Sequence, residues 1–137
     1  MEGSFHIVGG DFSNAGKAST ELKTILTNCG LDIAKIRRAV IATFEGEMNI
    51  IIYAVAGTIT YEIQNGKLLI TLQDIGPGIK NIELAMTEGY STAPDWVREM
   101  GWGAGMGLPN MKKNADIFKI NSIVGEGTTV EIIINLY

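Results

Sequence analysis

One cysteine, Cys29, and one histidine, His6, are all the thiols and imidazoles this 137-residue chain has. That excludes an internal disulfide framework and a cysteine- or histidine-rich zinc site, and a Ser-His-Asp triad finds no support in a lone strand histidine. Positive charge is scarce as well. Eleven Lys and Arg stand against fifteen Asp and Glu, a net charge of −4, and no basic run is present, so no nucleic-acid partner is expected. Long apolar runs are missing too: the richest stretch, 39–56, is interrupted by Glu45, Glu47 and Asn49. No membrane span is therefore expected. The opening MEGSFHIVGGDF has no basic segment followed by an apolar one, so no signal peptide is expected either. With 46% hydrophobic and 19% charged residues the composition is globular, and the expectation is one domain over 1–137 in a reducing cytoplasm.

Glycine, by contrast, is plentiful, and it clusters. DIGPGI runs from Asp74 to Ile79 and GWGAGMGLP from Gly101 to Pro109, with a polar, aromatic-spotted segment between them. Glycine lets backbone lie against a ligand, and a glycine cluster opening a helix aims free N–H groups and a positive dipole end at an anion. The pair reads as a nucleotide site with a mobile lid over 87–102.

The rest of the chain supplies a frame. Ser4 to Val8 reads as a strand. Ser13 caps a helix to about Asn28 with an apolar stripe of Ala18, Leu22, Ile25, Leu26 and Cys29, and Gly30 follows it. Asp32 caps a longer helix, expected to reach Val55 and stop at Gly57, whose apolar face is Ile33, Ile36, Val40, Ile41, Phe44, Met48, Ile51, Ile52 and Val55. Strands at 58–64 and 67–75 flank Asn65-Gly66, a type I′ hairpin signal. A helical turn near 81–86, a helix from 106–109 to 114–115, and strands at 117–123 and 128–136 complete the chain. Hairpins with helices between them predict an α/β (α+β) two-layer sandwich: a mixed, mostly antiparallel sheet with helices packed on one face. The exposed first strand could pair with a second copy in a homodimer.

Several residues can carry chemistry. Glu45 and Asn49 lie one turn apart on one helix face, since four residues advance about 400°. Glu47 is rotated about 200° from Glu45 and points elsewhere. A partly desolvated Glu beside an Asn amide can serve as a base and a Mg²⁺ ligand; the same pattern is also that of a polar helix border. Asp74 shares strand parity with Leu68, Ile70 and Leu72, and Thr128 with Val130, Ile132 and Ile134, so both face the core side at strand ends. An inward Asp needs a donor, which an adenine amino group or Thr128 can supply, or else it caps the following turn. Lys112, Lys113 and Arg98 are the cations near the second glycine cluster, the two lysines reading as solvated surface.

Taken together, Glu45-x-x-x-Asn49, Asp74-x-Gly76-x-Gly78-Ile79, Gly103-x-Gly105-x-Gly107-Leu108 and Gly127-Thr128-Thr129-Val130 resemble, in order, the four motifs of the GHKL (Bergerat-fold) ATPase superfamily. The resemblance covers about residues 10–135. EGYSTAP, GLPNMKKNADIFKINSIVGEGTTVEI and NIIIYA bring it closest to the anti-sigma-factor serine/threonine kinases, in particular the RsbT-like switch-kinase branch. The resemblance implies a bacterial enzyme that binds ATP and Mg²⁺ and phosphorylates a small STAS-domain antagonist, with a sigma factor or a phosphatase as a further partner. Its alternatives are a nucleotide-gated binder with little catalysis and a detached histidine-kinase-type catalytic domain. By the same resemblance Glu45 is the base, Asn49 the Mg²⁺ ligand and Asp74 the adenine anchor. Gly76, Gly78, Ile79 and Thr128 belong to the base end. Gly103, Gly105, Gly107 and Leu108 wrap the phosphates, which Arg98 contacts. The lid from Asp95 to Trp102 is longer and more aromatic than the branch pattern, and Asn114-Ala115 departs from it before Asp116.

Overall fold

The computed structural model describes residues 1–93, 95 and 106–137. In chain order its elements are β1 (Glu2–Val8), a 3-10 turn (Phe12–Asn14), α1 (Lys17–Asn28), α2 (Ile33–Tyr53), β2 (Ala56–Gln64), β3 (Lys67–Ile75), α3 (Ile82–Ala85), α4 (Gly107–Lys113), β4 (Ile117–Ile123) and β5 (Gly127–Asn135). Among the described residues five strands make one sheet in the order β1-β2-β3-β5-β4. All four pairings are antiparallel, so the sheet is not mixed.

Strand alternation gives the sheet one apolar face. Ile59 and Tyr61 of β2, Leu68, Ile70 and Leu72 of β3, and Val130, Ile132 and Ile134 of β5 are all buried there, joined by Leu22 and Leu26 of α1, Ala39, Met48 and Ile50 of α2, and Met111 of α4. The opposite face carries a polar row in register: His6, Thr58, Gln73, Thr129 and Asn121. The Asn65-Gly66 hairpin forms as expected, with φ of 54° and 73° at its two central residues. Asp32 caps α2, its carboxylate accepting from the N–H groups of Ala34 and Lys35.

The two long helices differ from expectation in instructive ways. Ser13 does not cap α1; its hydroxyl donates to Asp11, and the helix starts only at Lys17 after Gly16 turns through a φ of 90°. Cys29, at the end of the expected stripe, is exposed. α2 stops at Tyr53 because Ala54 turns extended, and the Val55 N–H then bonds to the Ile75 carbonyl. Val55 is consequently 71% exposed, and Gly57 lies within β2 rather than ending the helix. The buried face of α2 is built on small residues, Ala39, Ala42, Thr43 and Gly46, with Ile36, Glu47, Ile50 and Ile51, while Ile33 and Ile41 are exposed. Sheet, α1 and α4 all press on this helix, so small residues are buried beside Ile36, Ile50 and Ile51. A Cβ on Gly46 would collide with Leu72 Cδ2 and stand 3.0 Å from Met111 Cε. Glycine here lets α2 settle onto β3 and α4 together.

Candidate active site

Between α2, the ends of β3 and β5, the segment 77–92 and α4 lies a cavity of about 800 Å³. Its size is in the range of small-molecule and cofactor sites. Eight of the residues singled out from sequence line it: Glu45, Asn49, Asp74, Gly78, Ile79, Gly107, Leu108 and Thr128. Gly76 stands behind it, where a Cβ would lie 3.3 Å from Asp74 Oδ1. Arg98, Gly103 and Gly105 lie outside the described residues, as do Trp96 and Trp102. The sequence motifs, spread over more than eighty positions, thus converge on one concavity.

At one end, the Asp74 carboxylate reaches inward from β3 and accepts from the Thr128 N–H of β5 at 3.1 Å. The partnership expected between these residues therefore runs through backbone; the Thr128 hydroxyl instead lies 2.8 Å from Ser122 Oγ of β4. Ser122 is a hub that sequence reading missed. It accepts from the Ile79 N–H at 2.7 Å and lies 3.2 Å from the Gly127 carbonyl, tying the first glycine turn to the β4–β5 hairpin. Gly78 turns this loop with a φ of 73°, so tightly that a Cβ would run into the Ile123 carbonyl. Burial pushes the Asp74 carboxyl above its ordinary 3.8, and the Thr128 N–H pulls part of the way back.

At the other end, α4 packs against α2 through three neighbouring pairs. Gly107 approaches Asn49, where a Cβ would stand 2.9 Å from Oδ1; Met111 faces Gly46; and Asn110 Nδ2 donates to Glu45 Oε1 at 3.4 Å. Glu45 is half-buried, and desolvation raises its carboxyl above the ordinary 4.5, with the Asn110 hydrogen bond opposing. Asn49, half-buried on the same wall, makes no side-chain hydrogen bond to another described residue. The residue lines the cavity. Lys80 lines the same cavity. Lys112 and Lys113 are exposed as expected, and Lys113 pairs with Glu88.

Glu47, expected only to point away from Glu45, is 1% exposed. Its carboxylate accepts from the N–H groups of Gly16, Ala18 and Ser19 at 3.0–3.2 Å, closing the start of α1. Neither it nor Asn110 had a local signal, because each partner lies on another element.

No family model matches the chain. It is 35% identical over 115 residues to the serine/threonine-protein kinase RsbT of Bacillus subtilis (strain 168), spanning 81% of this chain and 80% of that protein. The chain belongs to the RsbT serine/threonine-protein kinase family. The anti-sigma F factor of Anoxybacillus flavithermus is a further relative of this family member, 32% identical over 117 residues, 85% of this chain and 69% of that protein. Two solved structures share its fold. The RsbU and RsbW domains of a Mycobacterium tuberculosis protein match with a TM-score of 0.64 at 20% identity, over 98% of this chain and 32% of that longer one. A chain of the SiaB–SiaC complex from Pseudomonas aeruginosa matches with a TM-score of 0.63 at 12% identity, over 96% and 89%. Membership of an RsbT-type kinase family implies ATP as the phosphoryl donor. No helix among the described residues is long and apolar enough to cross a membrane.

Proposed function

We propose that this kinase transfers the γ-phosphoryl group of Mg-ATP to a serine or threonine of a small STAS-domain protein, with Glu45 as general base. The observation that carries the reading is a half-buried carboxylate and an unbonded amide oxygen side by side on one cavity wall, with a second inward carboxylate, Asp74, at the far end. Asp74 accepts the adenine amino group on the oxygen that Thr128 leaves free. The first glycine turn, braced by Ser122, closes over the base.

Asn49 would supply a protein oxygen for Mg²⁺, an ion held in nucleotide sites chiefly by phosphates and water. Bound there, Mg²⁺ would offset charge on the phosphates. By the motif resemblance, Gly103, Gly105, Gly107 and Leu108 would wrap the triphosphate, and Arg98 would contact it. In the transfer, the substrate hydroxyl gives its proton to Glu45 while its oxygen forms the new bond to γ-phosphorus. The bond from that phosphorus to the β–γ bridging oxygen breaks, and ADP leaves. Burial of Glu45 suits the role, because a base works best with a pKa close to the working pH. The relatives named anti-sigma F factor support a second binding function, capture of a sigma factor by the same chain.

Incubation with γ-labelled Mg-ATP and a STAS-domain protein of the same bacterium tests the reading. Acid-stable phosphoserine or phosphothreonine on that protein is the expected product; acid-labile phosphohistidine would contradict it.

A further inference from the structure

Glu45 has one hydrogen-bond partner among the described residues, and that partner comes from α4, the helix that leaves the second glycine cluster. Resting on the base reading above, we infer that Asn110 is a positioning residue for Glu45, its amide N–H holding one carboxylate oxygen so that the other faces the incoming hydroxyl. Asn110 sits in a fixed frame. Its N–H bonds to the Met106 carbonyl at 2.9 Å, and its carbonyl accepts from Asn114 Nδ2 at 2.8 Å. Met111, the next residue, is fully buried against Gly46, the residue after Glu45. The contacts Gly107–Asn49, Asn110–Glu45 and Met111–Gly46 therefore form one interhelical register. A shift of α4 against α2 would move the donor off the carboxylate.

The chemistry gives this contact a purpose. A carboxylate whose environment is half desolvated protonates more readily, and a protonated Glu45 cannot take the proton of the incoming hydroxyl. An amide N–H donated to the ionised form opposes that, and it also stops rotation of the carboxylate plane. The amide is neutral, so it does this without adding a cation that would compete for the phosphates. The other charged residues described around the cavity are Asp74 and Lys80, which line it. Lys112 and Lys113 of α4 and Lys17 of α1 are exposed. Asn114, half of the Asn114-Ala115 departure from the branch pattern, thus has a structural contact: its side chain donates to the carbonyl of the residue that holds Glu45.

The test joins a titration to a rate. The Glu45 side-chain carboxyl is followed by carbon-13 NMR in the full chain and in Asn110→Leu, and phosphate transfer to the STAS-domain protein is measured across pH. In Asn110→Leu the carboxyl pKa rises by about half a unit, and the acid limb of the rate profile moves with it, slowing transfer about threefold on the acid side. Asn110→Gln, which keeps an N–H donor, restores both. If Asn110→Leu does not fold, Asn110→Ala makes the same test, since it removes the amide donor without adding bulk or charge. An unchanged Glu45 titration overturns the inference even if the kinase is active. A titration that moves while the acid limb stays put overturns it too. Transfer that survives Glu45→Gln identifies the base reading itself as the failure.

Discussion

Both carboxylates that reach into the cavity are partly desolvated, and among the described residues each is held by a single neutral N–H, from Thr128 or from Asn110. This is how a binding or catalytic carboxylate differs from a structural one such as Glu47, which has three donors and no solvent. Asp74→Asn keeps the inward geometry but removes the charge, and ATP affinity measured by calorimetry should fall by about 1.5–3 kcal/mol, roughly ten- to a hundredfold. Equal affinity would remove Asp74 from nucleotide recognition. At this scale the sequence was readable wherever a residue's direction follows from its own element. Helical spacing put Glu45 and Asn49 on one face, and strand parity turned Asp74 and Thr128 inward. Asn110 and Ser122 escaped notice because they meet Glu45 and Ile79 across 65 and 43 residues, and no period records such a meeting.

Among elements, the strands matched expectation best: β3 and β4 agree to the residue, and the hairpin at Asn65-Gly66 fixes the β2–β3 register. The helices matched less well, for a physical reason. α1 has no cap of its own, since Glu47 on α2 binds its first N–H groups from 28–31 residues away. A local search for a capping side chain therefore chose Ser13 wrongly. Glu47→Ala should strip two buried donors and one half-buried one of their acceptor and cost about 3 kcal/mol or more, read as a lower midpoint in urea unfolding. Loss of less than about 1 kcal/mol would mean water replaces the carboxylate easily. Glu47→Gln, retaining one acceptor oxygen, should fall between.

For the whole molecule, one surface ion pair joins distant parts of the chain. Arg38 of α2 donates to Asp116 Oδ1 at 2.9 Å, and Asp116 Oδ2 accepts the Asn135 N–H at the end of β5 at 2.7 Å. These contacts, the Arg38 hydrogen bond foremost, hold the Asp116 carboxyl below its ordinary 3.8. A carboxylate with a depressed folded pKa adds stability at pH values above its unfolded one and loses it as pH falls through the folded value. Asp116→Asn should therefore lower stability at neutral pH by about 1 kcal/mol or less, as expected of an exposed pair, and the deficit should vanish in acid once pH has fallen through the lowered pKa of the folded carboxyl. A deficit that persists in acid would assign the effect to packing rather than charge. Globally, the order of motifs carried the family and the fold, while the closeness of α2, α4 and β3 around Gly46 emerged only in three dimensions.

The central claim is that Glu45 takes the proton in phosphate transfer and does not merely help to hold the nucleotide. Its most direct test compares the chain with Glu45→Gln for two quantities measured on the same samples: ATP affinity, and transfer of γ-labelled phosphate to the STAS-domain protein. Transfer should fall by a factor of about 100 or more while ATP affinity stays within a factor of about three. Transfer at the original rate, or parallel loss of binding and transfer, would contradict it.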